Sequence, residues 1–222
     1  MQRIPEPELM DESEQALAYA NADFAEPNRR FVEAFAAEFP ELRRGAVLDL
    51  GCGPGDIVIR LAQHFPELEV HGLDGARAML AHGERRLQQL PELRDRVQFV
   101  AGVLPGARLP RPRYDAITSN SLLHHLHEPQ GLWQSIATAG APGAAVMVMD
   151  LFRPDSQDAA WAIVERYSGG EPEVLKRDFF YSLCAAFEPD EVRAQLAACG
   201  LAGLAVRTVS DRHLIVSGRL PG

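Results

Sequence analysis

No apolar run in the 222-residue chain approaches the roughly 20 residues that cross a bilayer, so no membrane-spanning helix and no membrane partner are expected. Met1 to Met10 lacks both the basic end and the apolar stretch of a signal peptide, and the chain reads as cytoplasmic. Cysteine is scarce. Cys52, Cys184 and Cys199 are an odd number without a Cys-x-x-Cys pair, which argues against a zinc framework and a disulfide scaffold and for reduced thiols. Positive charge is also short, with 22 Lys and Arg against 31 Asp and Glu and a net charge of −9. That balance disfavours a nucleic-acid partner, which needs a basic face. Arg108, Arg111 and Arg113 read as a solvated loop. No metal-ligand spacing stands out, so a metal-independent mechanism with no metal site is expected. What remains, 46% apolar and 24% charged, is the composition of an ordinary globular domain.

Short apolar runs alternate with longer amphipathic ones, the pattern of an α/β fold. Helices are expected over 11–20 and 28–39, the second with Phe31, Val32, Phe35 and Phe39 on one face. Strands follow at Ala46–Leu50, Val70–Leu73, Val97–Val100, Tyr114–Thr118 and Ala145–Leu151, with helices over 55–65, 76–89 and 129–139. The last of these helices stops at Gly140–Gly143. Residues 155–187 collect Trp161, Tyr167, Phe179, Phe180, Tyr181 and Phe187, a high aromatic density for this chain. A helix from Pro189 to about Cys199 leads to two closing strands, Leu204–Val209 and His213–Gly218, expected to form an antiparallel hairpin. One domain over 1–222 results, with an N-terminal helical cap (1–44) and a helical aromatic insert or lid (155–187).

Asp49-Leu-Gly-Cys-Gly-Pro-Gly55 sits between a strand and a helix. Its glycines permit a sharp turn with positive φ and a close backbone approach to a ligand. In open parallel sheets, ligands bind at the carboxyl ends of strands. Asp56 stands where a dinucleotide fingerprint needs Gly or Ala, and the Lys-Ser/Thr of a P-loop is absent. Flanked by Asp49 and Asp56, the loop suits a ligand with a positive end. Asp74 ends the second strand, where an acidic side chain can accept hydrogen bonds from both ribose hydroxyls.

These segments resemble the class I S-adenosylmethionine (SAM)-dependent methyltransferases. VLDLGCGPGDI (47–57) is similar to their first motif, HGLDGARAML (71–80) to their second, and YDAITSNSLLHHL (114–126) to the fourth-strand motif of small-molecule members. The resemblance implies a Rossmann-like seven-stranded, mostly parallel sheet with an antiparallel last strand and helices on both faces. It implies SAM as methyl donor and S-adenosylhomocysteine as product. Carried over by position, Asp49 orients the methionine end, and Gly51, Cys52 and Gly53 contact the methionine chain by backbone. Asp74 holds the ribose, Gly75 and Met79 lie near the adenine, and Asn120 offers its backbone near the amino group. The family often has Gly-Asp after the third strand. Here Gly102 is followed by Val103 and Leu104, so adenine is met by an apolar side chain and the Leu104 backbone.

Methyl transfer is a displacement that chiefly requires positioning. A base is needed only for a protonated acceptor, with His125 and His124 as candidates because histidine titrates near neutrality. His127 reads as surface and His213 as structural. Tyr167, Phe180 and Tyr181 are the expected acceptor-site residues, with Arg153 and Arg177 available for an anionic group. Tyr19 and Phe24 belong to an N-terminal stretch able to close over the site. The expected function is methyl transfer from SAM to a small organic molecule. The alternatives are a SAM-using enzyme without methyl transfer, a non-catalytic SAM or nucleoside-binding module, and a protein or nucleic-acid methyltransferase. The nucleic-acid option is weakened because Ser119-Asn-Ser-Leu122 replaces the Asn/Asp-Pro-Pro-Tyr/Phe of amino-base methylases.

Overall fold

The computed structural model describes residues 1–6 and 25–222. The helix expected over 11–20, with Tyr19 and Phe24, lies outside them. Seven α-helices and seven strands are present among the described residues. In chain order they are α1 (Ala25–Glu38), β1 (Arg44–Leu50), α2 (Asp56–His64), β2 (Glu67–Asp74), α3 (Arg77–Gln88), β3 (Val97–Ala101), β4 (Tyr114–Asn120), α4 (Gln130–Ala139) and β5 (Gly140–Leu151). After these come α5 (Gln157–Ser168), α6 (Glu173–Ala185), α7 (Pro189–Ala198), β6 (Ala205–Thr208) and β7 (His213–Arg219). A 3-10 turn, Leu123–His125, follows β4.

The strands form one sheet in the order β3-β2-β1-β4-β5-β7-β6. β1 pairs in parallel with both β2 and β4, and the parallel pairing continues to β3 and β5. β7 runs antiparallel to both β5 and β6, so the expected hairpin is present. The central strands are mostly apolar because both sheet faces are covered, with the polar Asp49, Thr118 and Ser119 buried toward their carboxyl ends. Leu48, Leu50, Ile117, Val146 and Val148 pack with Leu132, Trp133 and Ile136 of α4 and Val192 and Leu196 of α7. Val47, Ala116, Ala145 and Met147 face the other way, toward Phe31 and Phe35 of α1 and Ile59 and Leu61 of α2. Trp133 is fully buried, and its indole N–H donates to Gln195 Oε1 at 2.9 Å, tying α4 to α7.

β5 begins earlier than expected. Gly140–Gly143 is not a free stop after α4, because Gly140 pairs with Tyr114 before the register shifts at Ala116. Strand order reverses between β1 and β4, and the loops leaving these two strands meet there. A Cβ on Gly51 would lie 2.8 Å from the Leu122 side chain. The insert forms α5 and α6 around Ala160, Val164, Phe180, Leu183 and Cys184, and α6 packs on the Leu123–His125 turn.

Candidate active site

Gly51, Gly53 and Gly55 all have left-handed φ, at 71°, 52° and 76°, which only glycine adopts freely. At Gly55 a Cβ would meet the Phe99 ring at 2.3 Å, whereas at Gly53 it would meet nothing within 4 Å. Gly53 is therefore the open face of the loop. The amides of Gly51 and Cys52 donate to Leu73 O, and that of Gly53 to Asp74 Oδ2 at 2.7 Å. The loop thus spends these N–H groups on the end of β2, unlike a phosphate cradle, which aims them at an anion. The expected backbone contacts of Gly51, Cys52 and Gly53 narrow accordingly to carbonyl oxygens and Cα surface.

Asp49 lies at the root of the loop, 2% exposed, and accepts a hydrogen bond from Thr118 Oγ1 at 2.7 Å. Burial pushes its pKa up to about 7, with Asp74 adding to the rise and the Thr118 hydroxyl opposing it. No cation among the described residues pairs with it, so a ligand ammonium or sulfonium would supply the missing charge. The two oxygens of Asp74 accept the amides of Gly53 and Ala76. Asp56 corrects the expectation placed on it. Burial raises its pKa, but hydrogen bonds from Arg60, Arg86 and Asn28 more than offset that and hold it low. It clamps α1, α2 and α3 together, and the negative field at the loop comes from Asp49 and Asp74.

Gly75 is half-buried after β2, and Met79 packs with Ala76 and Ala78. Val103 is 59% exposed, while Leu104 packs on the core. Asn120 ends β4 half-buried, in register with Met149.

On the acceptor side, His124 is the better-anchored imidazole. Its Nδ1 lies 2.5 Å from Asp150 Oδ1, and Asp150 also accepts the amides of Leu123 and Leu151. Burial lowers the His124 pKa, but Asp150 and then Glu6 more than offset this and raise it. Glu6 reaches the same place from the N-terminal segment. Its Oε1 lies 3.5 Å from His124 Nε2 and 3.2 Å from His125 Nδ1, and its carboxylate accepts from Ser182 Oγ. Burial raises its pKa. The segment is held by Ile4 N donating to Cys184 O, by Arg3 donating to the carbonyls of Ala185, His124 and Leu126, and by Arg153 donating to Met1 O. His213, in register with Leu151, has its pKa lowered to about 4, by burial first and Arg212 second.

The aromatic insert departs from expectation. Phe180 is buried and stacks on Trp161 at 4.4 Å, so it is core of the helix pair. The Tyr167 hydroxyl donates to Asp211 and its ring carries the Arg212 guanidinium. Tyr181 is 46% exposed against Phe180. Arg153 is consumed by Ala186 O, Glu188 and Glu191, while Arg177 is exposed. Sequence reasoning missed Asp150, although it lies next to the last residue of β5, much as Asp74 ends β2. It also missed Glu6, for which no local signal exists.

A family described as a methyltransferase domain matches residues 48–146, from β1 through most of β5. Over these residues the chain is similar to the class I SAM-dependent methyltransferases. A methyltransferase of Mycobacterium tuberculosis described as uncharacterized is 24% identical over 179 residues, spanning 79% of this chain and 87% of its own length. The trans-aconitate 2-methyltransferase of Methylobacterium nodulans is 30% identical over 154 residues. That match takes in 69% of this chain but only 55% of the relative's length. A SAM-dependent methyltransferase structure from Aquifex aeolicus aligns with a TM-score of 0.68 at 18% identity, covering 94% of this chain and 98% of that one. SAM is the methyl donor of the family, and the buried Asp49, open Gly53 and Asp74 fit its ammonium, sulfonium and ribose groups.

Proposed function

We propose that this methyltransferase transfers the methyl group of SAM to a small organic acceptor held between the Leu123–His125 turn, α6 and residues 1–6. The observation that carries it is the pairing of a cation-suited loop, with its amides spent on the end of β2 and buried Asp49 beside Asp74, with a polar cluster after β4. When bound, SAM supplies an electrophilic methyl group and a neutral leaving group. Asp49 and the loop carbonyls hold the positive end, Asp74 holds the ribose, and Met79, Val103 and Leu104 line the adenine side. The chain's main task is then to hold the acceptor in line and exclude water. An acceptor that carries a proton loses it to His124, oriented by Asp150, or to His125. Similarity to trans-aconitate 2-methyltransferases supports a small acceptor, and small carboxylic acids head the set to test.

The test is incubation of purified protein with SAM and a panel of small organic acids, phenols and amines, followed by mass spectrometry. Formation of S-adenosylhomocysteine with an equimolar methylated acceptor is expected. Consumption of SAM without S-adenosylhomocysteine would identify a different SAM chemistry, and methylation only of added protein or nucleic acid would overturn the small-acceptor proposal.

A further inference from the structure

We propose that Glu6, His124 and His125 form a binding site for one divalent transition-metal ion of the zinc class, with one coordination position left open. Their ligand atoms, Oε1, Nε2 and Nδ1, all lie within 4.8 Å of one another. The two separations from Glu6 Oε1 are 3.5 and 3.2 Å. Zinc bound tetrahedrally at about 2.0–2.1 Å spaces neighbouring ligand atoms about 3.3 Å apart, so an ion fits among these atoms with little movement. Two imidazoles and a carboxylate are a borderline donor set, suited to zinc, cobalt or nickel rather than to calcium or magnesium, which take mainly oxygen. Three protein ligands with an open fourth position is the arrangement of catalytic rather than structural zinc.

A second feature supports the site independently. His124 Nδ1 faces the buried Asp150 carboxylate, which is fixed by the Leu123 and Leu151 amides. A carboxylate behind a metal-bound imidazole sets its tautomer and turns the other nitrogen toward the ion.

The consequence for catalysis rests on the methyl-transfer proposal; metal binding itself does not. An acceptor oxygen in the open position would be fixed and would ionise more readily on the ion. His124 then acts as ligand, and its role as proton acceptor applies only to the metal-free chain.

The experiment uses untagged, chelator-stripped protein dialysed separately against zinc, cobalt and magnesium, with metal analysis and visible spectroscopy of the cobalt form. About one zinc per chain, tetrahedral cobalt bands and no retained magnesium are expected. Glu6→Gln, His124→Ala and His125→Ala should each weaken zinc binding at least tenfold. Asp150→Asn should weaken it about 10–100-fold, and the surface control His64→Ala should leave it unchanged. Glu6→Gln alters only the terminal segment, and retained SAM affinity and circular dichroism certify the fold of every variant. Zinc affinity undiminished in Glu6→Gln and His125→Ala, or no zinc retained by folded, SAM-binding protein, would overturn the proposal.

Discussion

Replacing Asp49 by Asn should change how the stability of the ligand-free protein depends on pH. Asp49 is buried and ionises near pH 7 in the folded chain, against an ordinary carboxylate value of 3.8. Below pH 3.8 the group is protonated in both states and costs the fold nothing. Between there and pH 7 the unfolded chain ionises while the folded chain keeps its proton, so stability falls as pH rises, and above pH 7 the loss is complete. At about 1.4 kcal/mol per pKa unit, the loss is about 4 kcal/mol in all, of which about 2–3 kcal/mol falls between pH 5 and pH 8. Asn keeps the oxygen that accepts the Thr118 hydroxyl and removes the titration. Urea unfolding of both proteins at pH 5 and pH 8 is the assay. The variant should gain on wild type by about 2–3 kcal/mol between these pH values, equivalent to about 5–10 °C in Tm for a chain this size. Its SAM affinity should fall, because the carboxylate facing the ligand cation is gone. Identical pH dependence in the two proteins would refute the reasoning, since the buried carboxylate would then carry no desolvation cost.

Two glycines of the same loop should separate folding from binding. Gly55→Ala places a methyl group 2.3 Å from the Phe99 ring at φ 76°, so denaturant titration should show a loss of about 2–4 kcal/mol from strain and overpacking. Gly53→Ala meets no neighbour and should cost only about 1–2 kcal/mol, while calorimetry shows a larger proportional loss of SAM affinity because the open face is filled. Trp133→Ala should lower stability by about 3–5 kcal/mol for the lost ring and by about 1–3 kcal/mol more for the unpaired Gln195, measured by urea unfolding. Arg86→Ala should stiffen no site but loosen α3 from α2, and hydrogen exchange should show faster opening of 77–88, because one of the three groups holding Asp56 is removed.

The parts of this molecule that were legible in the sequence are those whose cause is local. The glycines at 51, 53 and 55 announce a left-handed turn because no other residue adopts it freely. The strand–loop–helix order fixes where that turn must sit in a parallel sheet. The hairpin of β6 and β7 was visible from two short runs around Asp211 and Arg212. Contacts distant in sequence were not visible. Glu6 meets His124 and His125 across more than a hundred residues, and nothing near Glu6 distinguishes it from the other acidic residues at that end. Asp56 followed the same rule. Its i,i+4 partner Arg60 stood in plain view, but Arg86 and Asn28 come from other helices, and together they turned an expected ligand-facing carboxylate into a clamp. Trp161 and Tyr167 lie on α5 and Phe179, Phe180 and Tyr181 on α6, while Phe187 lies beyond α6; which ring is core and which is exposed depends on Trp161 stacking against Phe180, a packing choice that aromatic content alone does not specify.

The central claim is that the loop after β1 and Asp74 hold SAM. Isothermal titration of wild type and Asp74→Ala with SAM, S-adenosylhomocysteine and NADH tests it most directly. Wild type should bind the first two and not the third, and Asp74→Ala, folded by circular dichroism, should lose at least tenfold in affinity for both. Folded wild type that binds neither SAM nor S-adenosylhomocysteine, or an Asp74→Ala protein that binds them as tightly as wild type, would contradict the account.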